Sequence, residues 1–180
     1  MYKIPDMNGL LQMTLLDEIL LQARIAIRAF DRLNAPENSF DQIEIWGSIQ
    51  SVLVASGNVS KILWPSKKYR TRGKLLREYL NIPDNHILAP RVFRNHFEHF
   101  DERVEVRFNN SPTGVYIDRQ MNPSFNNFLG DREPTCQRGY NTFNHTLIFD
   151  GEVLDVQVLI KALKDLVNYM KFNKLALFIT

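Results

Sequence analysis

The sequence predicts a mainly α-helical chain carrying a small β-hairpin and loop insertion, and three observations predict it. Apolar residues recur at helical spacing through several long stretches. That period is lost from about Asn109 to Val153, where Asn, Pro and Gly accumulate. Inside this region Asp150 and Gly151 stand between the apolar pairs Ile148-Phe149 and Val153-Leu154, a signature of a tight hairpin turn. A chain of 180 residues, 44% hydrophobic and 23% charged, can bury one sizeable core, so a single domain over 1–180 is expected, with the insertion at about 109–153.

From Thr14 to Leu33, residues Leu16, Ile19, Leu20, Ala23, Ile27 and Phe30 fall on one arc of a helical wheel, which predicts a first amphipathic helix. Ser39 stands three residues before Gln42, the capping-box spacing, at the start of a second helix. Its core face is Ile45, Ile49, Val52, Val59 and Leu63, and it ends near Trp64 and Pro65. Trp46 and Trp64 widen that face and are expected to pack rather than to bind. A short helix around Gly73 to Leu80 precedes a turn at Ile82 to Asn85. Past Pro90, Phe93, Phe97, Phe100, Val104 and Phe108 form a stripe that predicts another helix with a core face. Val115 to Ile117 and Thr146 to Phe149 look extended, and Met121 to Tyr140 is expected to be loop. Leu159, Leu163, Leu166 and Met170 mark a fourth long helix, while the apolar tail Leu175 to Ile179 fits either helix or strand.

Charge is nearly balanced, with 22 Lys plus Arg against 20 Asp plus Glu, which excludes a highly charged disordered chain. Its distribution is uneven. Between Lys61 and Arg94 nine bases, Lys67, Lys68, Arg70 and Arg91 among them, face only Glu78 and Asp84. A polyanion would be drawn there first, although a solvated helix end accounts for the same charges. The single cysteine, Cys136, can form no internal disulfide and no Cys-rich zinc site, and no metal or other cofactor is expected. Nothing at the N-terminus resembles a secretory signal, and no apolar run approaches the ~20 residues that cross a bilayer. A cytoplasmic protein without a membrane partner is expected.

The segment from Arg91 to Arg103 carries the chemistry. On its helical wheel the phenylalanine stripe faces one way, and Asn95, Glu98, His99 and Glu102 face nearly the opposite way. Asn95 and His99 are neighbours four residues apart, and Arg94 reaches that surface only through the length of its side chain. An imidazole that moves protons near neutral pH, an amide and a forked guanidinium suit metal-free cleavage of a phosphodiester. His96 lies near the edge of the stripe and is expected to be a partly buried packing residue; a metal site from His96, His99 and Glu102 has little support. His86 in a turn and His145 in a strand are expected on the surface.

Arg94, Asn95, three intervening residues and His99 resemble the Arg, polar residue, three residues, His signature of the HEPN superfamily. Helix order strengthens the resemblance, which covers roughly Met13 to Phe108 and Leu154 to Phe172, whereas the Asn-rich insertion departs from a plain bundle. It implies an up-and-down bundle of four or five helices, working as a homodimer whose motif helices meet across a cleft. It further implies a metal-independent endoribonuclease of toxin or defence type, with an antitoxin or another protein as a possible partner. Carried over by position, His99 is the general acid or base, Arg94 steadies the phosphorane and Asn95 orients groups. Outside the motif, the basic segment supplies the residues expected to hold RNA: Arg91, Lys67, Lys68 and Arg70. Attack of a ribose 2′-hydroxyl would leave a 2′,3′-cyclic phosphate and a 5′-hydroxyl. The family also holds members that bind RNA or assemble without cutting, so a non-catalytic dimerisation, RNA-binding or partner-binding module is the alternative. An enzyme has to present Arg94 and His99 openly, whereas a module can tie them up with Glu98 and Glu102.

Overall fold

The computed structural model describes residues 4, 7–35, 41–110, 116–122, 137–173 and 175. Among them are six α-helices: α1 (Gly9–Leu33), α2 (Gln42–Leu63), α3 (Arg70–Tyr79), α4 (Val92–Glu98), α5 (Phe100–Asn110) and α6 (Val156–Phe172). A 3-10 turn at Lys67–Tyr69 leads into α3. Four short strands, β1 (Gln120–Met121), β2 (Arg138–Asn141), β3 (Thr146–Phe149) and β4 (Glu152–Asp155), make one sheet in that order. The protein is thus mainly α with a small sheet. It divides into two compact units, residues 1–91 with 159–180, and residues 92–158. No helix among the described residues is long and apolar enough to cross a membrane.

In the first unit α1 starts at Gly9, ahead of the expected Thr14, because the Asn8 side chain accepts from the amides of Leu10 and Leu11 at 2.9 and 3.2 Å. The expected Ser39 cap lies outside the described residues. Asp41 caps α2 instead, accepting from the Ile43 and Glu44 amides at 2.9 and 3.2 Å. Helices α1 and α2 pack antiparallel, as the pairs Arg32–Glu44 (3.2 Å), Arg32–Ser48 (3.3 Å) and Gln22–Asn58 (3.2 Å) require. Of the expected core face of α1, Ile27 is only half-buried, while the small Ala23, Ala26 and Ala29 are fully covered and let the helices approach closely. Trp46 is buried, as expected of a packing tryptophan.

Arg77 ties the end of α2 to α3. The residue is 8% exposed, and its guanidinium donates through Nε and Nη2 to Asp84 Oδ1 at 2.9 and 2.6 Å, and through Nη1 to the Leu63 carbonyl. That last bond satisfies one of the carbonyls a helix end leaves without a partner. The same guanidinium lies 5.3 Å over the Trp64 ring, whose N–H donates to the Asp84 carbonyl at 3.0 Å. Gly73 permits the approach: a Cβ there would stand 2.3 Å from Pro65 Cδ.

In the second unit β1 and β2 run parallel, while β2–β3 and β3–β4 are antiparallel. The β3–β4 hairpin turns at Asp150 and Gly151, whose φ of 46° and 81° are the left-handed values that a tight hairpin turn demands. Met121 to Tyr140 is not loop at its ends, because Met121 pairs with Tyr140 and β2 begins at Arg138; residues 123–136 lie outside the described residues. Strands this short, one of them buried from end to end, carry no alternation for the sequence to display. The expectation for His145 also fails. It sits in the turn before β3, 8% exposed, where the Tyr140 hydroxyl meets its Nδ1 at 2.6 Å.

Candidate functional site

The motif segment is two helices rather than one. Its α4 ends at Glu98, α5 begins at Phe100, and His99 is the single residue between them. The His99 amide still donates to the Asn95 carbonyl at 2.9 Å and the Arg103 amide to the His99 carbonyl at 3.2 Å, so the joint remains tight. Asp101 and Glu102 explain where α5 starts: two acids in a first turn favour a helix N-terminus, at the positive end of the helix dipole. Glu102 reaches back to His99, with Oε1 3.1 Å from Nδ1, much as the third residue of a capping box reaches back to its cap. If Nδ1 carries the proton for that bond, Nε2 is left as the basic nitrogen.

The three motif residues do not share one environment. Asn95 is exposed, and the His99 side chain is 54% exposed beside a Glu102 that is 70% exposed. Arg94 is drawn in: its side chain is 11% exposed, it is paired with Glu98 one turn on, and its Nε is buried with no hydrogen-bond partner among the described residues. Rather than swinging toward His99, the guanidinium is committed to a carboxylate of its own helix.

The phenylalanine stripe is a weaker core than the spacing promised. Phe93, Phe97, Phe100 and Val104 are half-buried and Phe108 is 43% exposed, because the break at His99 divides the face. What covers it comes from the sheet. The Arg138 guanidinium lies 3.9 Å from the Phe100 ring centroid and 5.6 Å from that of Phe97, held by Asp118, whose Oδ1 accepts from Nε at 2.8 Å. His96 packs as expected, more deeply than the edge of the stripe suggested. At 6% exposure it stacks on Phe149 with centroids 4.6 Å apart and meets Phe93 edge-on at 5.9 Å. Its Nε2 is 3.5 Å from Glu152 Oε2, and neither ring nitrogen has a hydrogen-bond partner among the described residues.

Four titratable groups of this unit depart from their ordinary values, among them Tyr116, which burial and the Asp118 carboxylate push up. Burial pushes the Asp150 carboxyl up, opposed by Arg107, His96 and Arg103 and helped by Glu152; Arg107 Nη1 stands 3.7 Å away. Burial pushes Tyr140 up and His145 down, with Asp155 partly opposing the latter. The tyrosine therefore keeps its proton and donates it to a neutral imidazole.

Of the residues expected to hold RNA, Lys67, Lys68 and Arg70 lie in the first unit, on the 3-10 turn and the first residue of α3, and all are exposed. None of the three has an ion-pair partner among the described residues. Arg91 is the last residue of that unit and is half-buried. The motif residues belong to the other unit. Sequence reasoning missed Tyr69, whose exposed ring lies among these cations, and Arg138 with Asp118, which no local pattern announces. Among the described residues no group of three or more His, Cys, Asp or Glu side chains could hold a metal ion. No protein-family model, no curated protein and no solved structure matches the chain.

Proposed function

We propose that the protein is a HEPN-like module that binds RNA without cutting it. The observation that carries this reading is the state of Arg94. A guanidinium that must grip a phosphorane has to be free to fork onto its oxygens, and this one is largely buried and spent on Glu98. Two copies pair through the Asn95 and His99 face, each supplying the same patch to a two-fold interface, and the exposed Lys67, Lys68 and Arg70, with Arg91, hold RNA phosphates.

One observation favours the cutting reading. The bond between His99 Nδ1 and Glu102 holds the ring as a catalytic histidine is held, with a carboxylate behind it and the other nitrogen free for proton transfer. In that reading His99 is the acid or base of 2′-hydroxyl attack, Arg94 leaves Glu98 when RNA enters, and a cognate antitoxin would restrain the activity. Purified protein incubated with mixed RNA and a chelator separates the two. The module retains RNA and leaves it intact, and light scattering gives a dimer. Products ending in 2′,3′-cyclic phosphate, lost by ~100-fold or more in His99→Ala, would install the nuclease in its place.

A further inference from the structure

The geometry points to a single-strand binding surface centred on Tyr69, in which Lys67, Lys68, Arg70 and Arg72 take the phosphates of an RNA strand and the tyrosine ring takes one of its bases. The surface rests on the RNA-binding reading for its ligand, and on nothing at the Arg94 to His99 face. Tyr69 closes the 3-10 turn and immediately precedes α3, and it is 47% exposed, a large aromatic surface left open to solvent. Two cations lie over its ring, Lys68 Nζ at 5.4 Å and Arg72 Cζ at 5.1 Å from the centroid. That is the composition of a single-strand site: a half-exposed aromatic ring on which a base can stack once a flexible cation swings aside, with positive charge beside it to meet the flanking phosphates.

The charges are also arranged against the fold's own interest. Lys67, Lys68, Arg70 and Arg72 crowd the start of a helical run whose first turn contains no acid, where the helix dipole already presents positive charge. None of the four has a carboxylate partner among the described residues, and Arg72 Nε is buried without a hydrogen bond. Only further along does an acid enter, Glu78, which stands 3.7 Å from Lys74. A polyanion relieves this repulsion. A duplex satisfies the cations alone, because its bases are already stacked; a single strand satisfies the ring as well.

The full chain is titrated with a short unstructured RNA, with the same sequence as a duplex, and with polyglutamate, over a range of salt. The single strand is expected to bind most tightly. Tyr69→Ala should weaken it by about 5- to 150-fold, the worth of one stacked base, while leaving the duplex unchanged, and Tyr69→Phe should keep the affinity. Replacing Lys67, Lys68 and Arg70 by alanine should make the plot of log affinity against log salt shallower by about 2, at ~0.7 for each lost phosphate. Lys67→Glu with Lys68→Glu should abolish binding and leave the thermal transition where it was or higher, since acids suit that helix end; this keeps loss of binding distinct from loss of fold. Single-strand affinity unchanged in Tyr69→Ala overturns this surface and leaves the RNA-binding reading standing; RNA bound undiminished by the triple alanine variant overturns the surface and, with it, the assignment of RNA phosphates to Lys67, Lys68 and Arg70. Polyglutamate binding as tightly as RNA makes the patch a general anion site and overturns it too. No binding to either RNA overturns both.

Discussion

Replacing Gly73 by alanine is expected to unseat α3 from the end of α2. The new Cβ would stand 2.3 Å from Pro65 Cδ, 2.7 Å from the Leu63 carbonyl oxygen and 2.9 Å from Pro65 Cγ. Ordinary carbon contacts begin near ~3.5 Å, so something must move by about an ångström, and what it meets is a proline ring and a backbone carbonyl. Overpacking of this kind costs ~1–3 kcal/mol. The Leu63 carbonyl is also the acceptor of Arg77 Nη1, and displacing it strains a hydrogen bond to a charged group, worth ~1.5–3 kcal/mol. Alanine's helix propensity returns ~1 kcal/mol, leaving a net loss of about 3 kcal/mol and a fall in Tm of roughly 6–12 °C. Gly47 is the internal control. It lies inside α2 with nothing within 4 Å of its own Cβ position, so Gly47→Ala should stabilise by ~0.5–1 kcal/mol. Urea and thermal denaturation of both variants make the test, and a Gly73→Ala protein within ~0.5 kcal/mol of wild type would show that the packing of α3 on Pro65 is wrong.

The buried groups of the second unit give a signed pH dependence. Asp150 is held above its ordinary value, so its ionised form costs stability at neutral pH; Asp150→Asn, which keeps the left-handed turn, should stabilise at pH 7 and lose that advantage in acid, where the native carboxyl is already protonated. His145 is held below the ordinary histidine value of about 6.5, so its contribution is complete above that pH and is lost as pH falls through the depressed native value. His145→Gln should flatten the stability profile across that window, followed by urea midpoints at several pH values. Arg138→Lys should destabilise the second unit by ~1–3 kcal/mol, because an ammonium keeps the charge opposite Asp118 but neither the fork nor the flat face over Phe100. A melting curve coincident with wild type would remove Arg138 from the packing of that unit.

Much of the helical scaffold was legible without coordinates. Leu16, Ile19 and Leu20 in α1, Ile45, Ile49 and Val52 in α2, and Leu159, Leu163 and Met170 in α6 are buried where their spacing put them. So was the Asp150-Gly151 turn, because left-handed φ at consecutive residues demands that chemistry. These features are set by neighbours within one or two helical turns, or by a single dipeptide, and a linear pattern carries them.

The candidate site was legible only as a set of residue types. Spacing placed Asn95 and His99 on an open face, where they are, and showed that Arg94 starts about 140° around the wheel from His99 at ~100° per residue. It could not say which carboxylate Arg94 would choose, nor that the phenylalanine stripe would break at His99, since a helix boundary is decided by a balance between the acids of α5 and the packing on either side. The cover over that stripe comes from Arg138 and Phe149, and the anchor of Arg138 from Asp118, twenty residues before it in the chain. Contacts between segments far apart in sequence leave no periodicity behind. The chain by itself therefore determined which helices form and which residue types they expose, and tertiary structure alone decided which of those side chains are free to act, because that depends on partners brought in from elsewhere in the fold.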